Sequence, residues 1–162
     1  MLTPDIKKYL DQSVLCWLAT VSKDGIPNVS PKEIFTYLDD QHIGIAHIAS
    51  PKSIKNIKAN PNVCVSFVDI LVQKGYKLVG QAEIIDKRAS EFSVQAEELL
   101  HMAGSAFPVQ AMIKIKVTKV APILAPSYVM YPDTTTEERQ VASALKAYKM
   151  KNKKEVRSQT EN

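Results

Sequence analysis

Four consecutive residues, Ser50-Pro51-Lys52-Ser53, carry the clearest chemical signal in the chain. Serine is a favoured N-cap, and proline suits the first helical position because the N–H it lacks would find no partner there. A helix opening at Pro51 leaves the backbone N–H groups of Lys52 and Ser53 without intrahelical acceptors, pointing out of its N-terminus. The helix dipole, the Lys52 ammonium and the Ser53 hydroxyl can then act together on one anion, and a phosphate fits that donor set. Lys55 follows one turn later. Taken alone, the segment is equally consistent with a short surface helix on which Lys52, Lys55 and Lys58 are a solvated face.

Other reactive side chains form no competing constellation. His42, His47 and His101 with Cys16 and Cys64 lack metal-ligand spacing. No dinucleotide glycine fingerprint and no P-loop is present. Cys16 has no basic sequence neighbour to favour its thiolate, and both cysteines lie in apolar runs where a free thiol acts as a small hydrophobe. A reducing, cytoplasmic setting is the expectation.

The elements that must position these residues read mostly as strands. Thr3 and Pro4 open a helix carrying Ile6, Tyr9 and Leu10 on one face and ending near Ser13. Val14 to Val21 is an apolar strand, and Lys23-Asp24-Gly25 makes a hairpin turn into a second strand over Asn28 to Leu38. Pro31 lies inside that second strand and, unable to donate to a ladder, marks an edge or a bulge. His42 to Ile48 is a third strand, followed by the helix from Pro51 to Asn60.

Two further strands, Val63 to Val68 and Tyr76 to Asp86, flank a polar loop, with Gly80 marking a close backbone approach. Ser90 to Ala103 has helical spacing, Ile113 to Val117 alternates as a strand, and Thr135 with Glu138 makes a capping box for a last helix. The count is about six strands, and the short early turns demand antiparallel pairing. A mainly β fold with peripheral helices, closed or partly closed into a barrel, is the economical arrangement.

Length and charge bound the rest. The chain has 162 residues, 45% hydrophobic, which predicts one domain over residues 1–150 with its own core. The formal charge of +4 is concentrated between Lys146 and Arg157, and residues 151–162 read as a basic, disordered tail. No apolar run has membrane-spanning length, so no membrane insertion is expected. Aromatic residues make up only 7% of the chain, too few for base-stacking platforms, so a basic nucleic-acid-binding barrel is the least favoured reading and no nucleic-acid partner is expected.

The run from Leu18-Ala19-Thr20 through Asp24-Gly25-Ile26-Pro27-Asn28-Val29, Ser50-Pro51-Lys52-Ser53-Ile54-Lys55-Asn56-Ile57 and Asn60-Pro61-Asn62-Val63 to Gly80-Gln81-Ala82 resembles the FMN-binding split-barrel superfamily of the pyridoxamine 5′-phosphate oxidase type. The resemblance implies a six-stranded antiparallel Greek-key split barrel, dimeric, with FMN at the subunit interface. It places Lys52 and Ser53 on the flavin phosphate. It lays the flavin ring against Ser30, Pro31, Lys32, His47 and Ile48 and calls for residues of the partner subunit to complete the pocket. Ser127, Tyr128 and Tyr131, a serine and two aromatics in a proline-punctuated segment, are candidates and read at least as well as cover for the chain's own core. From the residues themselves, His47 reads first as a structural core or surface histidine, Lys32 equally as an exposed strand residue and Asn56 as a fastener of the helix to a neighbouring loop.

With FMN bound, the isoalloxazine supplies the redox chemistry and no dedicated acid, base or nucleophile is needed. The expected activity is that of an FMN-dependent oxidoreductase on a small-molecule redox substrate. A flavin-binding electron carrier without a substrate is the alternative. True pyridoxamine phosphate oxidases carry an arginine- and histidine-bearing C-terminal segment, which this chain replaces with a capped helix and a lysine-rich tail.

Overall fold

Antiparallel strand pairs dominate the structure, a computed structural model that describes residues 1–150. The basic tail inferred for residues 151–162 lies outside the described residues. Helix α1 (Pro4–Gln12) precedes strands β1 (Cys16–Val21), β2 (Pro27–Lys32), β3 (Phe35–Tyr37) and β4 (His42–His47). Helix α2 (Pro51–Ala59) follows, then β5 (Asn62–Asp69) and β6 (Lys74–Asp86). Two short helices, α3 (Phe92–Gln95) and α4 (Glu97–Ala103), lead to β7 (Ala111–Leu124), α5 (Pro126–Met130) and α6 (Glu137–Ala147).

All strands join one sheet in the order β2-β1-β5-β6-β7-β4-β3. Strands β2 and β3 stand at opposite ends of that order, yet only Glu33 and Ile34 separate them. Four consecutive Cα atoms span at most about 11 Å, so the sheet must curl until its two edges meet. The result is a split barrel.

The expected second strand over Asn28 to Leu38 is therefore two strands, and the described residues hold seven strands in place of six. Its break falls at Glu33-Ile34, where Ile34 turns its carbonyl to Ala46 N–H at 2.9 Å and hands the chain from β1 to β4. Pro31 does occupy an edge strand, opposite Trp17 of β1. Strand β7 is also longer than the Ile113 to Val117 alternation, pairing with β6 from Asp86↔Ala111 to Lys74↔Leu124.

Alternation fills the barrel. Cys16, Leu18, Ile43, Ile45, Val65, Phe67, Leu78, Ile113 and Ile115 are all within 1% of complete burial. Each fully buried Leu, Ile or Phe removes enough apolar surface from water to contribute about 2 kcal/mol. Helix α1 closes one end with Ile6, Tyr9 and Leu10, and the Thr3 hydroxyl accepts from Ile6 N–H as its cap. A second core, with Phe92, Leu99 and Met112, fastens α3 and α4 to β4 and β7. The expected helix over Ser90 to Ala103 is broken at Ala96.

Two caps differ in detail. The hydroxyl that caps α6 belongs to Thr136, accepting from Arg139 N–H at 3.3 Å, whereas Thr135 donates to the Ser127 carbonyl at 2.9 Å. The turn before β2 has Gly25 at φ 79°, a conformation that costs glycine nothing. Among the described residues, no helix is long and apolar enough to cross a membrane.

Candidate functional site

Helix α2 starts where sequence logic puts it, with Ser50 as N-cap and Pro51 first. Its cap is unusual in chemistry. The Ser50 hydroxyl makes no bond to the helix's own amides. It accepts instead from the Lys32 ammonium, which also donates to Ser30 Oγ at 2.9 Å. Consequently the N–H groups of Lys52 and Ser53 have no acceptor among the described residues. Burial restrains the same turn: Ser53 is 1% exposed and Asn56 3%. Asn56 donates its amide to Thr20 Oγ1 at 3.0 Å, so it fastens α2 to strand β1 rather than to a loop.

Lys32 is the residue on which the site turns. It is 7% exposed, which removes the reading of an exposed strand residue. Burial drives its pKa down, and no carboxylate acts on it. Its inward partner across the β1–β2 ladder is Cys16, whose buried thiol is pushed up to about 12. That thiol stays protonated at neutral pH and offers Lys32 no counter-charge.

His47 ends β4, where its carbonyl accepts from Gln110 N–H at 2.8 Å. Burial lowers its pKa, and the Lys32 charge lowers it further, so the ring is neutral at pH 7. Two buried side-chain atoms lack a hydrogen-bond partner among the described residues: His47 Nδ1 and Ser53 Oγ. Buried polar atoms are seldom left unpaired, because each costs about 1–3 kcal/mol. Both belong to residues predicted from sequence to touch a cofactor.

Pro31, Lys32 and Ile48 line a cleft of about 460 Å³ together with Ser50. The structure thus joins Ser30, Lys32 and Ser50 by hydrogen bonds, and sets Pro31 and Ile48 around the same space. Lys52 stays exposed on the first turn of α2, without an ion pair among the described residues. A larger cleft of about 640 Å³, lined by Asp39, Glu97, Glu98 and His101, contains none of the predicted residues.

Ser127, Tyr128 and Tyr131 do not line the Lys32 cleft. Ser127 accepts from Gln140 at 2.5 Å and Tyr128 donates to the Val72 carbonyl at 2.9 Å, so both fasten the chain's own C-terminal helices. Tyr131 is exposed.

A free helix N-terminus, an orphaned buried hydroxyl in its first turn and an uncompensated ammonium beside its cap fit a phosphate-bearing cofactor on one edge of a barrel. A family model for pyridoxamine 5′-phosphate oxidase matches residues 2–123. This chain belongs to the pyridoxamine 5′-phosphate oxidase family.

An uncharacterized protein of Methanocaldococcus jannaschii is 30% identical over 122 residues, covering 74% of this chain and 78% of its own length. The crystal structure of HupZ from Group A Streptococcus is 28% identical with a TM-score of 0.63, over 74% of this chain and 92% of that one. An FMN-binding protein from Syntrophomonas wolfei shares the fold at 17% identity and a TM-score of 0.64, over 76% of this chain and 87% of that one. The family match ends at residue 123, before α5 and α6.

The sequence gives no sign of Ser50's part, because a serine before proline reads first as a cap. Thr20 has a readable signal, because a lone threonine at alternating spacing in an apolar strand marks a buried polar partner.

Proposed function

We propose that the chain binds FMN and acts as a flavin-dependent oxidoreductase on a small molecule. One observation carries the reading: Ser50 spends its hydroxyl on Lys32, leaving the Lys52 and Ser53 amides and the buried Ser53 hydroxyl free for a phosphate. Lys52 adds a cation from the solvent side, and the helix dipole favours the anion. Ser30, Pro31, Lys32, His47 and Ile48 supply the wall for the ring. Bound flavin supplies hydride or electron transfer, and the protein supplies orientation, charge and access.

A homodimer with the flavin at the subunit interface completes the proposal. Its support is an apolar outer sheet face on which Val29, Ala19, Cys64 and Val79 stand in register, beside Trp17, 46% exposed. Patches of this kind on a sheet mark association surfaces. Free cysteines at positions 16 and 64 suit a cytoplasmic location.

The purified protein's visible spectrum and an FMN titration by calorimetry test the cofactor. A yellow protein that releases FMN on denaturation, with affinity cut at least about tenfold by Lys52→Glu, is the expected result. A colourless protein that takes up no FMN refutes the reading. Oxidation of reduced nicotinamide with an added acceptor separates the enzyme from the electron carrier, which turns nothing over.

A further inference from the structure

Beyond the phosphate seat, the Lys32 cleft has a second wall that lies outside the sequence motifs. Helix α4 ends at Gly104, where φ is 57°, and the segment after it carries Phe107 to the cleft mouth beside Met102 of α4. Phe107 is 52% exposed and Met102 44%. Ile34 and Ile48 continue the apolar surface from the barrel side. The volume of about 460 Å³ lies within the range of small-molecule sites, roughly 300–1,000 Å³.

Polar groups in this cleft are few and specific. An ammonium has three N–H donors, and Lys32 commits two of them to Ser30 and Ser50. One donor remains, enough for one ligand oxygen. A phosphate ester needs several donors and a second cation to offset its charge. No arginine among the described residues reaches the cleft: Arg88 is paired with Asp86 and Arg139 donates to the Thr134 carbonyl. The other ionisable side chain lining it is the Glu33 carboxylate, which repels an anion.

We propose that this cleft takes a flat, apolar, unphosphorylated ring bearing one oxygen acceptor, such as a quinone, and that Phe107 and Met102 are its specificity-determining residues. The inference rests on the flavin reading, since a ring laid on the Pro31 and Ile48 wall leaves Phe107 and Met102 to cover the molecule that exchanges electrons with it. It departs from the phosphorylated amine that the family's description names.

Calorimetry on FMN-loaded protein, with menadione and pyridoxine 5′-phosphate as probes, tests it. Menadione is expected to bind at least about tenfold more tightly than pyridoxine 5′-phosphate. Phe107→Ser is expected to weaken menadione about tenfold while leaving FMN affinity unchanged, with Met102→Ser acting in the same direction. Equal or tighter binding of pyridoxine 5′-phosphate overturns the proposal. So does a Phe107→Ser variant with unaltered menadione affinity, or one that loses FMN and menadione in parallel, which would make this wall the flavin's own. FMN uptake is measured first and separately. Failure there removes the flavin reading, and menadione titrated into flavin-free protein then supports the cleft by binding or overturns it by not binding.

Discussion

The Lys32 ammonium donates to the Ser50 hydroxyl, tying the last residue of β2 to the N-cap of α2. The bond places an almost fully buried cation at the mouth of a helix whose first amides have nothing to bind. Neither residue serves the fold well. A serine cap that ignored Lys32 would satisfy an amide of α2, and an apolar side chain at position 32 would avoid desolvating a charge.

That cost predicts the behaviour of Lys32→Met. Folding lowers the Lys32 pKa from 10.5, so stability is highest above that value and falls as the pH drops toward the folded pKa. Below the folded pKa the full penalty of holding the buried ammonium applies. Methionine removes it at similar volume, and the melting temperature of the flavin-free variant is expected to rise by about 3 °C in calorimetry, while FMN affinity drops. A variant that loses both stability and FMN affinity would mark Lys32 as structural.

Ser53→Ala separates phosphate recognition from ring recognition. The Ser53 hydroxyl is buried and has no partner, so its removal costs the flavin-free protein nothing in chemical denaturation. FMN affinity falls about tenfold, and riboflavin, which lacks the phosphate, binds wild type and variant alike. Equal losses for both ligands would move the phosphate away from α2.

Gly80 tests the barrel independently of the site. A Cβ there would lie 2.3 Å from the Lys116 carbonyl oxygen and 2.9 Å from Ile115 Cγ2, at the register shift between Val79 and Gly80. Both contacts are with the neighbouring strand, so the backbone must move. Gly80→Ala should lose about 3 kcal/mol in urea unfolding, with FMN affinity retained by the folded fraction.

How much of this was legible in the chain depended on the range of the interaction. The start of α2, the Gly25 turn, the edge position of Pro31 and the close approach at Gly80 follow from local chemistry, and each stands as read. The split between β2 and β3 did not, because Glu33 and Ile34 continue a strand-like pattern with no glycine or proline to interrupt it. What breaks the strand is barrel closure, a demand of the whole sheet. The burial of Lys32 is not legible in its strand, since its partner Ser50 is 18 residues away. Met102 lies in the stretch of helical spacing and Phe107 in the connection after it, and only the packing of α4 against β4 and β7 sets them beside the cleft.

His47 gives a prediction that depends on the ligand. Its folded pKa lies below 6.5, lowered by burial and by Lys32. The unfolded chain therefore binds the proton more tightly, and stability present above pH 6.5 is lost as the pH falls through the folded value. Without ligand, wild type should lose about 2 °C more than His47→Gln in melting temperature between pH 7 and pH 5. A phosphate seated on α2 puts an anion near the ring and favours the imidazolium, opposing both causes of the depression. FMN should accordingly shrink or invert that difference, and its binding at pH 6 should take up protons, seen as heats that vary with the buffer's ionisation enthalpy. Riboflavin should do neither. Identical proton uptake with FMN and riboflavin would separate His47 from the phosphate and return it to the barrel's ordinary packing.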